Sequence, residues 1–194
     1  MTALAMDPIV RAGLRTALAL LFGWAAAHKL RDMAAFRAAV AAYAVVPAAT
    51  LSIVSAVLVG TEIGVAATLA WPSSGSLPAV GAAVLLAIYA AAVGVNLLRG
   101  RHHIDCGCVG AAGRRPIAWA LVARNLVLSG VALVTALPVS PRPLVWIDAG
   151  TLVAAVGALA LLYAAADGVL AHAPQVARLV ADRSTADHVE GAHG

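Results

Sequence analysis

The sequence predicts an all-α fold: a polytopic transmembrane helical bundle with a four-helix core and a fifth, C-terminal helix. Three observations carry this. Of 194 residues, 62% are hydrophobic and 11% are charged, about half the charged fraction usual in a soluble domain. Mean hydropathy is +0.93. Several apolar stretches reach the ~20 residues that span a hydrocarbon core. An alanine-rich soluble bundle is the competing reading, but the chain has too few polar residues to cover one.

The first span covers about 9–30. Arg11 and Arg15 lie near its start and can snorkel to the interface, lengthening the span. Ala25-Ala26-Ala27 also suits a signal-peptidase site after an Arg-flanked apolar core; a retained helix is the favoured reading. The stretch after it carries Met33, Phe36, Val40, Tyr43 and Ala44 at near-helical spacing beside Arg31, Asp32 and Arg37. That pattern fits a short amphipathic helix in the interface, or an extension of the next span into the headgroups.

The second span covers about 47–71, with Pro47 suited to a first helical turn and Trp71 to the interface at its exit. The third covers about 78–98 and the fourth about 116–137. Residues 138–143 break the fourth from a fifth, about 144–166. Residues 1–170 thus form the bundle, with a cysteine-bearing loop at 99–115. Residues 171–194 form a polar tail, expected to be partly disordered.

The net charge of +4 comes from one lysine and twelve arginines. No basic patch is interleaved with aromatics, so nucleic acid is not the expected partner; membrane lipid is. Loop charges gather Lys29, Arg31, Arg37, Arg99, Arg101, Arg114, Arg115, Arg178 and Arg183 on one side of the membrane, against Arg142 and at most Arg11 and Arg15 on the other. The positive-inside rule makes that side cytoplasmic, with the cysteine loop and the C-terminus there. Disulfide formation belongs outside the cytoplasm, so the facing of the loop stays open between charge count and chemistry.

Cys106 and Cys108 are the two cysteines of the chain. A Cys-x-Cys pair closes a disulfide only through a small strained ring, which suits exchange better than scaffolding. Gly107 between them relieves the turn. Arg99, Arg101, Arg114, Arg115 and any protonated His102 or His103 would stabilise a thiolate, the reactive form. Asp105 fits either a proton acceptor or a turn cap. A metal site on His102, His103, Cys106 and Cys108 is the weaker alternative, because adjacent His-His and Cys-x-Cys hinder four ligands from converging on one ion. A buried cysteine pair without chemistry remains a third reading.

Polar residues also fall inside the spans: Glu62 in the second, Asn96 near the end of the third, and Arg124 and Asn125 in the fourth. Ionisable groups in a bilayer are costly and usually paired. Glu62 with Arg124 is the expected pair. Asn96 or Asn125 is expected nearby, free to bond across helices or to hold the loop. His28-Lys29, closing the first span, reads as an interfacial anchor.

These residues resemble the methylamine utilisation protein MauE family, within the wider DoxX-like membrane proteins. The likeness runs in order through Lys29-Leu30-Arg31-Asp32, Phe36, Tyr43, Pro47 and Glu62-Ile63-Gly64. It continues through Asn96-Leu97-Leu98-Arg99-Gly100, Ile104-Asp105-Cys106-Gly107-Cys108-Val109-Gly110 and Arg124-Asn125-Leu126. Val109 stands where the family has Phe, and His102-His103 is outside its pattern.

The resemblance implies a multi-pass protein of a bacterial-type cell membrane. It further implies a role in disulfide formation during maturation of methylamine dehydrogenase, alongside a thioredoxin-like, MauD-like partner. On that reading Cys106, Cys108 and Asp105 form the catalytic set. No resident cofactor is legible; a quinone fits as acceptor because it dissolves in the membrane and takes two electrons, and no bound metal is expected.

Overall fold

The computed structural model describes residues 5–71, 75–101, 104, 117–143 and 145–191. Among the described residues the α-helices are, in order, α1 Pro8–Arg31, α2 Met33–Ala42, α3 Leu51–Ala70 after a 3-10 turn at Ala48–Thr50, α4 Leu77–Leu98, α5 Trp119–Val134 and α6 Trp146–Gly191. No strand occurs among the described residues beyond an isolated bridge between Met6 and Val139. The protein is an all-α, membrane-spanning bundle.

Local chemistry sets the boundaries. Asp7 caps α1 by accepting from the Ile9 N–H at 2.8 Å, and Pro8 opens the helix, where its missing N–H costs nothing. Asp32 ends α1 and starts α2, its carboxylate accepting from Ala35 N–H at 2.9 Å. The amphipathic stretch is therefore a separate helix, with Phe36 as its buried residue. Ala44, just past α2, takes a positive φ of 49°, unusual for a residue with a Cβ.

Among the described residues, four segments are long and apolar enough to cross a membrane: Pro8–Arg31, Ala48–Ala70, Leu77–Leu98 and Trp146–Ala166. The fourth span expected from sequence is shorter as a helix. α5 has 16 residues, about 24 Å at 1.5 Å per residue, because Ala118 is extended before it and a turn at Thr135 closes it ahead of Pro138.

The bundle is built from two intimate pairs, α1 with α3 and α4 with α5. Lighter α3–α4 and α1–α5 contacts close the ring, and α2 lies on α3. Leu18, Phe22, Leu69, Leu85 and Leu86 form the central core with Ala82, Ala83 and Ala132. Alanines there let helices approach closely, as membrane packing favours. The Ser129 hydroxyl donates to Ala83 O at 2.9 Å, tying α5 to α4. Ile53, Val57, Trp71 and Leu98 face outward, as lipid-facing residues do.

The apolar window of α6 has no residue buried inside the protein. Its opening turns pass close to α1: a Cβ on Gly13 would lie 3.7 Å from Leu152 Cδ1. Residues 157–194 form a compact unit of their own, helical through Gly191.

Candidate functional site

The structure describes the base on which the cysteine segment stands. α4 ends in a Schellman motif: Gly100 N–H donates to Leu97 O and Arg101 N–H to Asn96 O, both at 3.0 Å. Gly100 has φ +74°, the left-handed value this motif needs and glycine supplies. The chain turns back, and Arg101 Nη1 reaches Ala42 O at 3.4 Å, Tyr43 O at 3.5 Å and Asn96 Oδ1 at 3.4 Å. These are long bonds, but they draw a guanidinium to the C-terminal carbonyls of α2, where a positive charge is favoured. Asn96 is fully buried, and its amide also donates to Ala92 O.

Just beyond, Ile117 N–H donates to Ile104 O at 3.0 Å. Both isoleucines are buried against Tyr43, Val93 and Leu97. Ile104 and Ile117 are therefore held together at one point, at the end of α4 and beside the end of α2. Asp105, Cys106 and Cys108 lie outside the described residues, as do His102 and His103 of the metal alternative. Among the described residues, no group of three His, Cys, Asp or Glu side chains is placed to hold a metal ion.

A second polar cluster lies deeper. Lys29 Nζ and Tyr89 Oη both donate to Glu62 Oε1, the tyrosine at 2.7 Å. Lys29 and Glu62 are buried to 4% and 1% exposure. The ammonium lies 4.9 Å from the centroids of both the Phe36 and Tyr89 rings, within cation–π range. Tyr89, Val93 and Asn96 follow one another on one face of α4, so this cluster sits seven residues, about 10 Å, from the loop base. Phe36 and Tyr43 are separated by the same step along α2.

At the opposite end of the bundle, Arg15 closes α3. Its guanidinium donates to Leu69 O, Thr68 O, Trp71 O and Gly75 O over 2.8–3.4 Å. Carbonyls left open at a helix C-terminus are satisfied this way. Arg142 bridges the start of α1 to the start of α6, bonding Asp7 at 3.0 Å and Asp148 at 2.9 Å. The Arg142 hydrogen bond, followed by that of Ile9 N–H, holds the Asp7 carboxyl below the usual carboxylate range. Its two carboxylate partners, Asp148 foremost, push the Arg142 guanidinium further up.

Several sequence expectations need correction. Glu62 takes Lys29 rather than Arg124, because α3 packs on α1 while α5 packs on α4. Lys29 is a buried ion-pair member rather than an interfacial anchor; its neighbour His28 stacks edge-on against Trp24 instead. Arg15 is 5% exposed and caps a helix rather than snorkelling. Asn125 is buried on α5, Arg124 is half-buried and Arg99 is exposed at the end of α4. Of the residues singled out from sequence, Asn96 and Arg101 are brought together. Tyr89 was missed; a tyrosine hydroxyl amid an apolar span was its only signal. The chain's sole lysine at the end of a span was the signal for Lys29.

Residues 6–138 match the family model described as methylamine utilisation protein MauE. The chain is 43% identical over 131 residues to methylamine utilization protein MauE of Paracoccus denitrificans, covering 68% of this chain and 70% of the relative. Identity to that of Paracoccus versutus is 38% over 158 residues, covering 81% and 85%. For Methylophilus methylotrophus it is 35% over 173 residues, covering 86% and 89%. No solved structure matches.

Proposed function

The chain belongs to the methylamine utilisation protein MauE family, and from that premise we propose that it is an accessory membrane protein of methylamine utilisation that carries out thiol–disulfide exchange through Cys106 and Cys108. The observation that carries the reading is the placement of the chain's two cysteines. They share one segment whose ends are fastened together by Ile104 and Ile117, next to the guanidinium of Arg101.

The exchange runs as follows. A thiolate of a thioredoxin-like partner attacks one sulfur of the Cys106–Cys108 disulfide, and the other sulfur leaves as a thiolate and takes a proton. The partner's second thiol then resolves the mixed disulfide. Two electrons pass from the partner's dithiol, which becomes a disulfide and gives up two protons, to Cys106 and Cys108. A lipid-soluble quinone is the class of acceptor that restores the disulfide, itself becoming a quinol. Strain in the small Cys-x-Cys ring favours its opening, and the arginines that flank the segment in sequence favour the thiolate as it forms.

The test is a pair of single replacements, Cys106→Ser and Cys108→Ser, in membranes that contain the partner. One of them should accumulate a reducible mixed disulfide with a thioredoxin-fold protein, seen as a mass shift lost on reduction. Full function in the double Cys→Ser variant would leave a scaffold role in its place.

A further inference from the structure

Lys29, Glu62 and Tyr89 take no part in the exchange itself, yet Lys29 and Glu62 are charged groups buried in the bundle, which is costly in a membrane. We propose that Glu62 is an intramembrane proton-holding group of the redox cycle, with Lys29 as its fixed counter-charge and Tyr89 as the hydroxyl through which its proton enters and leaves. The inference rests on the thiol–disulfide reading above.

Three features of the cluster support it. First, both hydrogen bonds to Glu62 fall on Oε1, while Oε2 is buried with no hydrogen-bond partner among the described residues. An ion pair kept for stability alone needs its remaining lone pairs satisfied. An open buried oxygen is where a proton adds without displacing Lys29 or Tyr89. Second, the Lys29 ammonium is flanked by the Phe36 and Tyr89 rings, each 4.9 Å away. That attraction does not depend on the charge of Glu62, so the ammonium keeps a partner when the carboxylate is neutralised. Third, Tyr89 is half-buried where Glu62 is buried. Its hydroxyl donates to Oε1 at 2.7 Å and lies 3.4 Å from Lys29 Nζ.

The groups that the described structure sets against Glu62 are Lys29 from α1 and Tyr89 from α4, with α2 adding only the Phe36 ring above Lys29. The cycle then balances without a free proton in the bilayer. A partner dithiol gives two electrons and two protons to the Cys106–Cys108 disulfide and the Glu62 carboxylate. The products are one cysteine thiol, one cysteine thiolate, neutral Glu62 and an oxidised partner. Re-oxidation sends both electrons, with the thiol proton and the Glu62 proton, to a quinone, giving a quinol.

Infrared difference spectra of the full-length protein in lipid, poised electrochemically between oxidised and reduced, test this. A protonated-carboxyl carbonyl band should appear on reduction, shift in Glu62→Asp and vanish in Glu62→Gln. The double variant Lys29→Gln with Glu62→Gln, which leaves no bare charge, should also lack it. Tyr89→Phe, which keeps the ring over Lys29, should retain the band but slow its hydrogen–deuterium exchange. Thiol alkylation of the same samples separates the two levels of the account. Cysteines that cycle without a carboxyl band, or with one that survives Glu62→Gln, overturn the proton-holding role alone. Cysteines that never cycle overturn the exchange reading, and this inference with it.

Discussion

Lys29 and Glu62 form a buried ion pair between the end of α1 and the middle of α3, 33 positions apart in sequence. It joins the two helices that pack most closely on this side of the bundle.

Removing one partner leaves the other charged in an apolar interior. Glu62→Gln or Lys29→Met alone should each cost about 3–5 kcal/mol, read as a lower midpoint of unfolding in a denaturing detergent titration. The two changes together should recover most of that loss. Equal stability of a single variant and the parent protein would show the pair to be without structural consequence.

Arg15 should matter out of proportion to its place near an end of the bundle. It is the donor that satisfies the last carbonyls of α3, and a charged donor to such a group contributes about 1.5–3 kcal/mol. Arg15→Ala should lower the free energy of unfolding by at least that amount, read as a lower midpoint in the same titration. Arg15→Lys should recover only part, since an ammonium cannot fork across several carbonyls.

The Asp7–Arg142 contact should be sensitive to acid. The folded value of Asp7 lies below its ordinary 3.8, so its contribution is fully present above the unfolded value and is lost as pH falls through the folded one. Carbon NMR of labelled Asp7 carboxyl in micelles should give a midpoint below the ordinary value. Arg142→Gln should move it back up, and an unchanged midpoint in that variant would rule out the contact.

Ile104 and Ile117 should govern how well the cysteine segment is held. Ile104→Ala removes a buried side chain from the cluster with Tyr43 and Leu97, a change worth about 2–5 kcal/mol in cores. Local loosening should also raise the alkylation rate of Cys106 and Cys108. A rate unaltered in Ile104→Ala would mean that the clamp does not position them.

The long apolar runs made α1, α3 and α4 legible in the sequence, because a bilayer demands length and hydropathy and little else. Asp32 marked the α1–α2 break only in hindsight, since one acidic residue between two apolar stretches reads equally well as an interfacial charge. Partner choice was harder. Glu62 announced itself as a buried acid, but Lys29 or Arg124 could have answered it, and only the packing of α3 on α1 decides. Arg15 misled for a related reason: a cation near a helix end reads as a snorkelling anchor until the helix that ends beside it is known. Asn96 and Arg101 meet through the Gly100 turn, which residues 96–101 already hinted at in sequence.

On the proposed exchange, Cys106 and Cys108 cycle together. That cycling is tested most directly by trapping the full-length protein in its native membrane with acid, then alkylating with a mass-tagged maleimide before and after reduction. We expect two populations, with both thiols tagged or neither, and conversion of the untagged form to the doubly tagged one on reduction. Two cysteines that remain taggable under every condition, with and without oxidant, would contradict the claim.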